Sequence, residues 1–401
     1  MGEWLRHQLG RRPHWMNALM LFCAYMTFVY VPWDLLVKPV AEDEEVWFGV
    51  IFHGIWAKWL AIPHWLVYAA GLVGFWRMSA WMWPWAALYA AQVAIGMVVW
   101  PLVYVGGARA VVSALVAGGA FSALTVALWR ARDRFRAPRA PLRERYGDWA
   151  LVTGASAGIG EALARAFARE GVNVALVARR EDRLRSLAAE LEKSHGVATR
   201  SVVADLARPE AVRTALDAVA DLEIAILVNN AGFGLPGRFE RQSAERLAEM
   251  VQLHCAAPVA LTAALLPGMR ARGRGAVIFT GSVSGCQPLP LHAVYGATKA
   301  FDNHLAEALW GELHGTGVDV LALVPGSTET EFQQVAGAVP HPGEPVERVV
   351  EAALEALGRH PSVISGWYNW LRANVAQRVP PRSMVTLMAK RVMAKQAPGE
   401  S

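Results

Sequence analysis

The chain has 401 residues, of which 54% are hydrophobic and only 18% are charged. Because this composition is too apolar for an ordinary soluble domain, length and composition together predict two or three domains, one of them in a membrane. The formal net charge is +5, but the Lys and Arg residues form no stripe with interleaved aromatic side chains, which argues against nucleic-acid binding. The three cysteines have neither disulfide nor metal-ligand spacing, and no metal site is predicted.

The first third of the chain is the apolar part, and residues 1–130 hold 13 of the 17 tryptophans. Apolar runs of about 17–25 residues can cross a bilayer. Such runs predict an all-α transmembrane bundle in residues 1–132, with four spans at about 15–36, 60–76, 82–105 and 111–129. Residues 46–59 fit a tilted extension of the second span or an interfacial helix, because tryptophan suits the headgroup region. The acidic run 42–45 is expected to lie in water.

Positive charges flank the apolar region on both sides. Arg6, Arg11 and Arg12 precede the first span, and seven arginines lie between residues 130 and 145. The positive-inside rule then places both termini and the second half in the cytoplasm, with the chain crossing the inner or plasma membrane several times. Residues 133–147 form a basic linker rich in Pro and Arg. We interpret residues 1–132 as a membrane anchor, with a lipid-substrate channel and a partner-binding bundle as alternatives.

From residue 148 onward, short apolar strands alternate with helical patterns. This alternation predicts an α/β fold, a doubly wound parallel sheet of about seven strands covered by helices. The first strand runs directly into a glycine-rich turn, which lets the backbone approach a pyrophosphate at a helix N-terminus. We therefore expect a dinucleotide to contact Gly154, Ser156, Gly158, Ile159 and Gly160.

The residues after the second strand predict the choice of cofactor. Enzymes selective for NAD(H) carry Asp or Glu there, on the ribose 2′-hydroxyl, but this chain has Arg179 and Arg180. Two guanidinium groups suit a 2′-phosphate, so NADP(H) is predicted ahead of NAD(H). A solvated charge pair at a helix start is the alternative.

Tyr295 and Lys299 lie four residues apart in a helical pattern. Residues at this spacing share one face of a helix, so the ammonium lies near the phenol. A nearby positive charge lowers the pKa of a tyrosine towards the range of a general acid or base. The pair predicts proton-transfer catalysis.

Taken together, residues 148–365 resemble the short-chain dehydrogenase/reductase family in its compact branch, a single Rossmann domain. The resemblance rests on TGxxxGxG at 153–160, Asp205, NNAG at 229–232, Ser282, YxxxK at 295–299 and PG at 325–326. It implies that Tyr295 exchanges a proton with the substrate oxygen, while Ser282 orients the carbonyl. It also implies that Lys299 lowers the pKa of Tyr295 and holds the nicotinamide ribose. The further cofactor contacts that it implies are Asp205, Leu206, Asn230, Ala231, Gly232, Tyr295, Lys299, Pro325, Gly326, Thr328 and Thr330.

One position departs from the family pattern. Where the family usually has an Asn that holds a water of the proton relay, this chain has His254. Our hypothesis is that His254 hydrogen-bonds in the same network and is the fourth catalytic residue, with Ser282, Tyr295 and Lys299. A degenerate site or a buried structural histidine is the alternative.

The sequence thus predicts a membrane-anchored oxidoreductase that transfers a hydride between NADP(H) and a carbonyl or alcohol group. Its location favours a small, apolar or lipid-like substrate and contact with membrane lipid, and the family implies a homodimer or homotetramer. Residues 366–401 are predicted to form an amphipathic tail that lies on the membrane, with a helix that packs on a subunit or on the core as the alternative. The alternative is a nucleotide-sensing membrane scaffold with a degenerate site.

Overall fold

The computed structural model of the protein describes residues 12–135 and 140–397. The chain divides into two compact units, residues 1–139 and 140–401, called the front unit and the back unit below. Four arginines of the topology prediction, Arg6, Arg11, Arg136 and Arg139, lie outside the described residues.

Long apolar helices build the front unit. They are α1 (His14–Leu36), α2 (Ile55–Arg77), α3 (Met82–Val105) and α4 (Gly107–Arg130). All four are long and apolar enough to cross a membrane, which agrees with the predicted N-terminal helical region. Their buried side chains are mostly small or sulfur-containing, whereas large apolar side chains such as Phe28 and Leu115 are more than two-thirds exposed. This distribution is typical of helices that pack together in lipid.

A β-hairpin precedes α2, where the sequence indicated a span extension or an interfacial helix. Its strands are β1 (Glu44–Trp47) and β2 (Val50–His53). Phe48 and Gly49 connect them, with φ of 51° and 85°. Two positive φ angles in a two-residue loop match the twist of a hairpin, and Gly49 adopts such an angle without strain. The helical interpretation of residues 46–53 was therefore wrong.

Charged residues are buried at one end of the front unit. Asp43, which belongs to the acidic run expected in water, is only 1% exposed. Its carboxylate lies 2.8 Å from Lys38 Nζ and 3.0 Å from Lys58 Nζ. Lys38 Nζ also lies 3.3 Å from Asp34 Oδ1. The expectation was wrong for Asp43 because two ammonium groups replace the water that its carboxylate would otherwise need.

Seven parallel strands form the sheet of the back unit, in the order β5-β4-β3-β6-β7-β8-β9. They are β3 (Trp149–Thr153), β4 (Asn173–Ala178), β5 (Thr199–Val203), β6 (Ile224–Asn229), β7 (Gly275–Thr280), β8 (Val318–Val324) and β9 (Ser362–Ile364). The predicted doubly wound sheet is confirmed. Its strands read as continuous apolar runs because both of their faces are buried.

Helices cover both faces of this sheet and enclose two apolar cores. They are α5 (Leu142–Tyr146), α6 (Gly158–Arg169), α7 (Glu181–His195), α8 (Pro209–Asp217), α9 (Ala244–Arg272), α10 (Ala293–Leu313), α11 (Phe332–Val335) and α12 (Val346–Ala356). By length and hydropathy α9 is a fifth candidate membrane span. However, Leu261 and Met269 of α9 are buried in a core against the sheet, so we treat it as a helix of the Rossmann unit.

The C-terminal tail is broken where the sequence indicated one amphipathic helix. A short helix, Trp367–Leu371, continues as a π-helix to Ala376, and α13 (Arg382–Ala394) follows. Pro380 and Pro381 separate them. A proline lacks the N–H that the helix needs and clashes with the preceding turn, which explains the break.

Candidate active site

The carboxyl ends of the parallel strands surround one cavity of about 880 Å³. The chain order of the sheet reverses between β3 and β6, and ligands of doubly wound sheets bind at such a reversal. Every residue predicted for catalysis or cofactor binding lines this cavity except Gly160 and His254. The sheet therefore brings together motifs that are spread over 177 positions, from Gly154 to Thr330.

The glycine-rich turn packs tightly against the loop that follows β6. A Cβ on Gly154 would lie 2.9 Å from Ala231 Cα, and one on Gly160 would lie 2.5 Å from the carbonyl oxygen of Gly154. Asn230 fastens the loop, because its Nδ2 donates to the Thr153 carbonyl at 3.0 Å. Gly154 and Gly160 are thus required for the close packing of this turn. The turn leads into the N-terminus of α6, where a pyrophosphate would bind. The residues present fit a dinucleotide.

Two arginines stand where the adenosine end of a dinucleotide would lie. Arg179 is exposed on the cavity wall. Arg180 donates to Ser156 Oγ at 3.1 Å and pairs with Glu331 Oε2 at 2.8 Å. Glu331 also pairs with Arg183 at 3.0 Å, and its hydrogen bond with Arg180 lowers the pKa of its carboxyl group. Glu331 was not predicted from the sequence. A 2′-phosphate would have to displace Glu331 from Arg180 or share the guanidinium with it.

Ser282 and Tyr295 face the same cavity from two elements. Ser282 follows β7, and its hydroxyl accepts a hydrogen bond from the Ser284 N–H at 3.1 Å. Asn303 of α10 donates to the Ser282 carbonyl at 3.1 Å, which holds the loop against the helix that carries Tyr295. The Ser282 hydroxyl itself donates to the Pro325 carbonyl at 3.4 Å, a long hydrogen bond that one to a substrate oxygen would replace.

Lys299 lies one turn after Tyr295 on α10 and is only 5% exposed. Its Nζ donates to the Thr280 carbonyl at 2.7 Å and to Asp302 Oδ2 at 3.0 Å. Burial lowers the pKa of Lys299, but Asp302, Tyr295 and Cys255 together outweigh it, so the pKa lies above the ordinary value. Asp302 was not predicted from the sequence, although its position three residues after Lys299 puts it on the same helix face.

Burial dominates the electrostatics of Tyr295. It raises the pKa of the phenol, while the Lys299 ammonium and the Ser282 hydroxyl lower it and Asp302 adds a smaller increase. The net direction is upward, so the phenol is protonated at neutral pH. Tyr295 is therefore set up to donate a proton to a substrate oxygen.

His254 lies behind the cavity wall and is 1% exposed. Its Nε2 accepts from the Phe233 N–H at 3.0 Å, and its Nδ1 lies 2.9 Å from Thr298 Oγ1. The Thr298 hydroxyl donates to the Tyr295 carbonyl at 2.9 Å, so the neutral Nδ1–H tautomer satisfies every atom. Burial holds the pKa of His254 well below its ordinary value. His254 thus joins the loop after β6 to α10, and its place in the relay stays a prediction.

Comparison with known proteins agrees with this geometry. A family model described as "short chain dehydrogenase" matches residues 148–339. The 7beta-hydroxysteroid dehydrogenase of Collinsella aerofaciens is 34% identical, over 57% of this chain and 89% of its own length. The very-long-chain 3-oxoacyl-CoA reductase of Aspergillus fumigatus is 33% identical, over 56% of this chain and 67% of its own length.

Two further similarities bear on activity and cofactor. The human inactive hydroxysteroid dehydrogenase-like protein 1 is 35% identical, over 47% of this chain and 58% of its own length. The structure of a short-chain dehydrogenase from Sphingobium yanoikuyae in complex with NADPH is 34% identical, with a TM-score of 0.53, and covers 63% of this chain and 98% of that one.

Proposed function

The chain belongs to the short-chain dehydrogenase family, and on this premise we propose that it is a membrane-anchored oxidoreductase that uses NADP(H) to interconvert a carbonyl group and an alcohol on an apolar substrate. The observation that carries the proposal is the meeting of Ser282, Tyr295 and Lys299 around one cavity, next to the glycine-rich turn. Acid, orienting hydroxyl and ammonium are the groups that carbonyl reduction needs from the protein.

The side chains divide the work of reduction among them. Bound NADPH would supply the hydride that reaches the carbonyl carbon. The Ser282 hydroxyl donates a hydrogen bond to the carbonyl oxygen and holds it beside the phenol. Tyr295 then transfers its proton to that oxygen as the C–O bond order falls, and Lys299 stabilises the phenolate that remains. In the oxidation direction the phenolate takes the proton back.

Residues at the adenosine end support NADP(H) over NAD(H). Arg179 and Arg180 follow β4, where a carboxylate would repel a 2′-phosphate. Arg180 already binds one carboxylate, that of Glu331, so its guanidinium is placed to bind an anion. The related Sphingobium yanoikuyae enzyme binds NADPH.

The front unit supports the membrane location. Four apolar helices keep their large apolar side chains on the outside, and the arginines at the ends of the apolar region favour cytoplasmic termini and a cytoplasmic back unit. Catalysis beside a bilayer favours substrates that partition into lipid. We extend the proposal to a homodimer or homotetramer, the assembly expected from the family.

Replacing Tyr295 with Phe tests the proposal, since it removes the acid and keeps the ring. We expect kcat/KM for carbonyl reduction by the purified, detergent-solubilised protein to fall by about 10²–10⁴-fold. NADPH affinity, measured by fluorescence titration, should stay within about threefold of the wild-type value. The proton of the Tyr295 hydroxyl acts in the transition state and does not contribute to binding of the cofactor. A Tyr295→Phe protein with undiminished turnover would contradict the mechanism.

A nucleotide-sensing membrane scaffold is the second candidate. The observation that favours it is the similarity to an inactive human protein, together with His254 at the relay position. A scaffold predicts that wild-type protein binds NADPH but oxidises it with none of a panel of long-chain ketones and aldehydes. The same panel measured with NADH tests the cofactor preference.

A further inference from the structure

His292 is a buried histidine that the mechanism above does not use. It lies three residues before Tyr295, at the N-terminal end of α10, and is 8% exposed. Within the described part of the chain, neither of its ring nitrogens has a hydrogen-bond partner. Buried polar groups are nearly always paired, and leaving one unpaired costs free energy. A side chain with two such atoms needs a reason to be there.

The location of His292 supplies the reason. Its side chain lines the same cavity as Tyr295, and the two rings meet edge to face with centroids 5.7 Å apart. Leu291, the residue before it, has a φ of +63°, which is unusual for a leucine. The Leu291 carbonyl accepts from the Gly237 N–H at 2.8 Å. The backbone is therefore held in an unfavourable conformation that places the imidazole beside the reacting phenol.

The imidazole is neutral in this position. Burial lowers the pKa of His292 to about 4, so at neutral pH one ring nitrogen carries a proton and the other does not. A neutral imidazole can donate one hydrogen bond and accept another. It suits an uncharged oxygen, such as a carbonyl or a hydroxyl, and offers no ionic attraction to a carboxylate or phosphate.

We propose that His292 hydrogen-bonds a second, uncharged oxygen of the substrate, separated by one carbon from the carbonyl or alcohol that reacts at Tyr295. This inference rests on the proposed function and names its substrate class: chains oxygenated at positions 1 and 3, such as 3-oxoacyl esters or thioesters. One oxygen lies at Tyr295 and Ser282. The other forms a hydrogen bond with the His292 ring, whose centroid is 5.7 Å from that of Tyr295.

The rest of the cavity fits the remainder of such a molecule. Phe332 lies 5.8 Å from the Tyr295 ring, centroid to centroid, and Val335, Trp367 and Val392 continue the lining. These side chains are apolar, which suits a hydrocarbon chain. A relative of the chain is named as a reductase of very-long-chain 3-oxoacyl-CoA, in agreement with an apolar chain that carries oxygen at positions 1 and 3.

A matched pair of substrates tests the proposal with full-length protein in detergent. Ethyl 3-oxodecanoate carries the second oxygen, and 3-decanone lacks the ester. Because a keto ester is intrinsically more reactive, the readout is the ratio of the two kcat/KM values, compared between wild type and His292→Phe. We expect this ratio to fall by about tenfold or more in His292→Phe, mainly through the KM of the keto ester.

Two further variants define the result. His292→Gln keeps a donor and an acceptor and should restore part of the ratio. His195→Phe replaces an exposed histidine at the end of α7 and should behave as wild type. A ratio in His292→Phe equal to that of wild type, whether both rates fall together or neither falls, overturns the proposal.

A binding measurement separates this inference from the proposed function. Calorimetry with ethyl 3-hydroxydecanoate in the presence of NADPH proceeds without turnover, because an alcohol and the reduced cofactor cannot react with each other. Affinity should weaken by about tenfold or more in His292→Phe. Equal affinities in the two proteins overturn the His292 site. Binding that depends on His292 without any turnover in wild type would uphold the site and contradict the oxidoreductase alone.

Discussion

Each unit of the protein buries one lysine next to an aspartate, but the two lysines are used differently. In the front unit, Lys58 Nζ contacts Asp43 and donates to the backbone carbonyls of Asp34 and Lys38. Three acceptors match the three N–H donors of an ammonium. In the back unit, Lys299 has two acceptors among the described residues, Thr280 and Asp302.

An unused N–H donor distinguishes Lys299 from Lys58. All three N–H donors of Lys58 are used within the fold. Lys299 lines the cavity, and one of its N–H donors is available to a ligand. The two buried histidines of the back unit differ in the same way. His254 has both nitrogens paired, and His292 has neither. In each of these two pairs, the residue with an unpaired donor or acceptor is the one that lines the cavity.

Replacing each lysine with Met gives the largest expected effects and tests this comparison directly. Lys299→Met should lower kcat/KM by about 10²–10⁴-fold, because the phenolate loses its neighbouring charge. Lys58→Met should lower the free energy of unfolding by about 1–3 kcal/mol, since the buried Asp43 carboxylate loses one of its two ammonium partners and keeps only Lys38. Turnover per folded molecule should be unaffected by Lys58→Met.

Tryptophan fluorescence during thermal unfolding measures the second effect, because 13 of the 17 tryptophans lie in residues 1–130. NADPH oxidation measures the first effect in the same preparations. The comparison breaks down if Lys58→Met abolishes turnover in protein of undiminished stability.

An intermediate effect is expected from His254→Ala. Losing the ring leaves the Phe233 N–H unpaired, which should lower the free energy of unfolding by about 1–3 kcal/mol at pH 7.5. The folded-state pKa of His254 is depressed, so below about pH 6.5 the unfolded wild type binds a proton that the folded protein does not. Wild type therefore loses this stability on acidification. The difference in free energy of unfolding between wild type and His254→Ala becomes smaller as the pH falls.

Chemical denaturation at pH 7.5 and pH 5.5 checks this prediction. The pH profile of kcat provides the complementary test of the relay hypothesis, with His254→Asn as the conservative variant. A profile that changes in His254→Ala and returns to the wild-type shape in His254→Asn would place His254 in the relay.

The smallest effect is expected from Asp302→Asn. The Asp302 carboxylate raises the pKa of Tyr295, so removing its charge lowers that pKa. Alcohol oxidation needs the phenolate and speeds up as pH rises through this pKa. In Asp302→Asn the rising part of the pH–rate profile for alcohol oxidation should therefore move to lower pH. Oxidation at pH 7 should be faster by about twofold to tenfold. If the profile moves to higher pH, Asp302 lowers the pKa of Tyr295, contrary to this prediction.

Local sequence patterns were enough to predict several elements of this protein. The alternation of strand and helix predicted the parallel sheet, the Gly154–Gly160 turn predicted a dinucleotide site, and the spacing of Tyr295 and Lys299 put both on one helix face. Each of these rests on residues that are close together in the chain, where helix and strand periodicity control the geometry.

The pairing of buried polar groups, in contrast, could not be predicted without the fold. Asp43 lies in an acidic run that suggests water, yet two lysines bury it. Glu331 pairs with Arg180, 151 positions away in the sequence. His292 faces the cavity, and neither of its ring nitrogens has a hydrogen-bond partner among the described residues. Hydrogen bonding in a protein core depends on packing between distant segments, which no local pattern encodes. The residues that we propose for specificity are therefore recognisable only once the fold has brought the strand ends together.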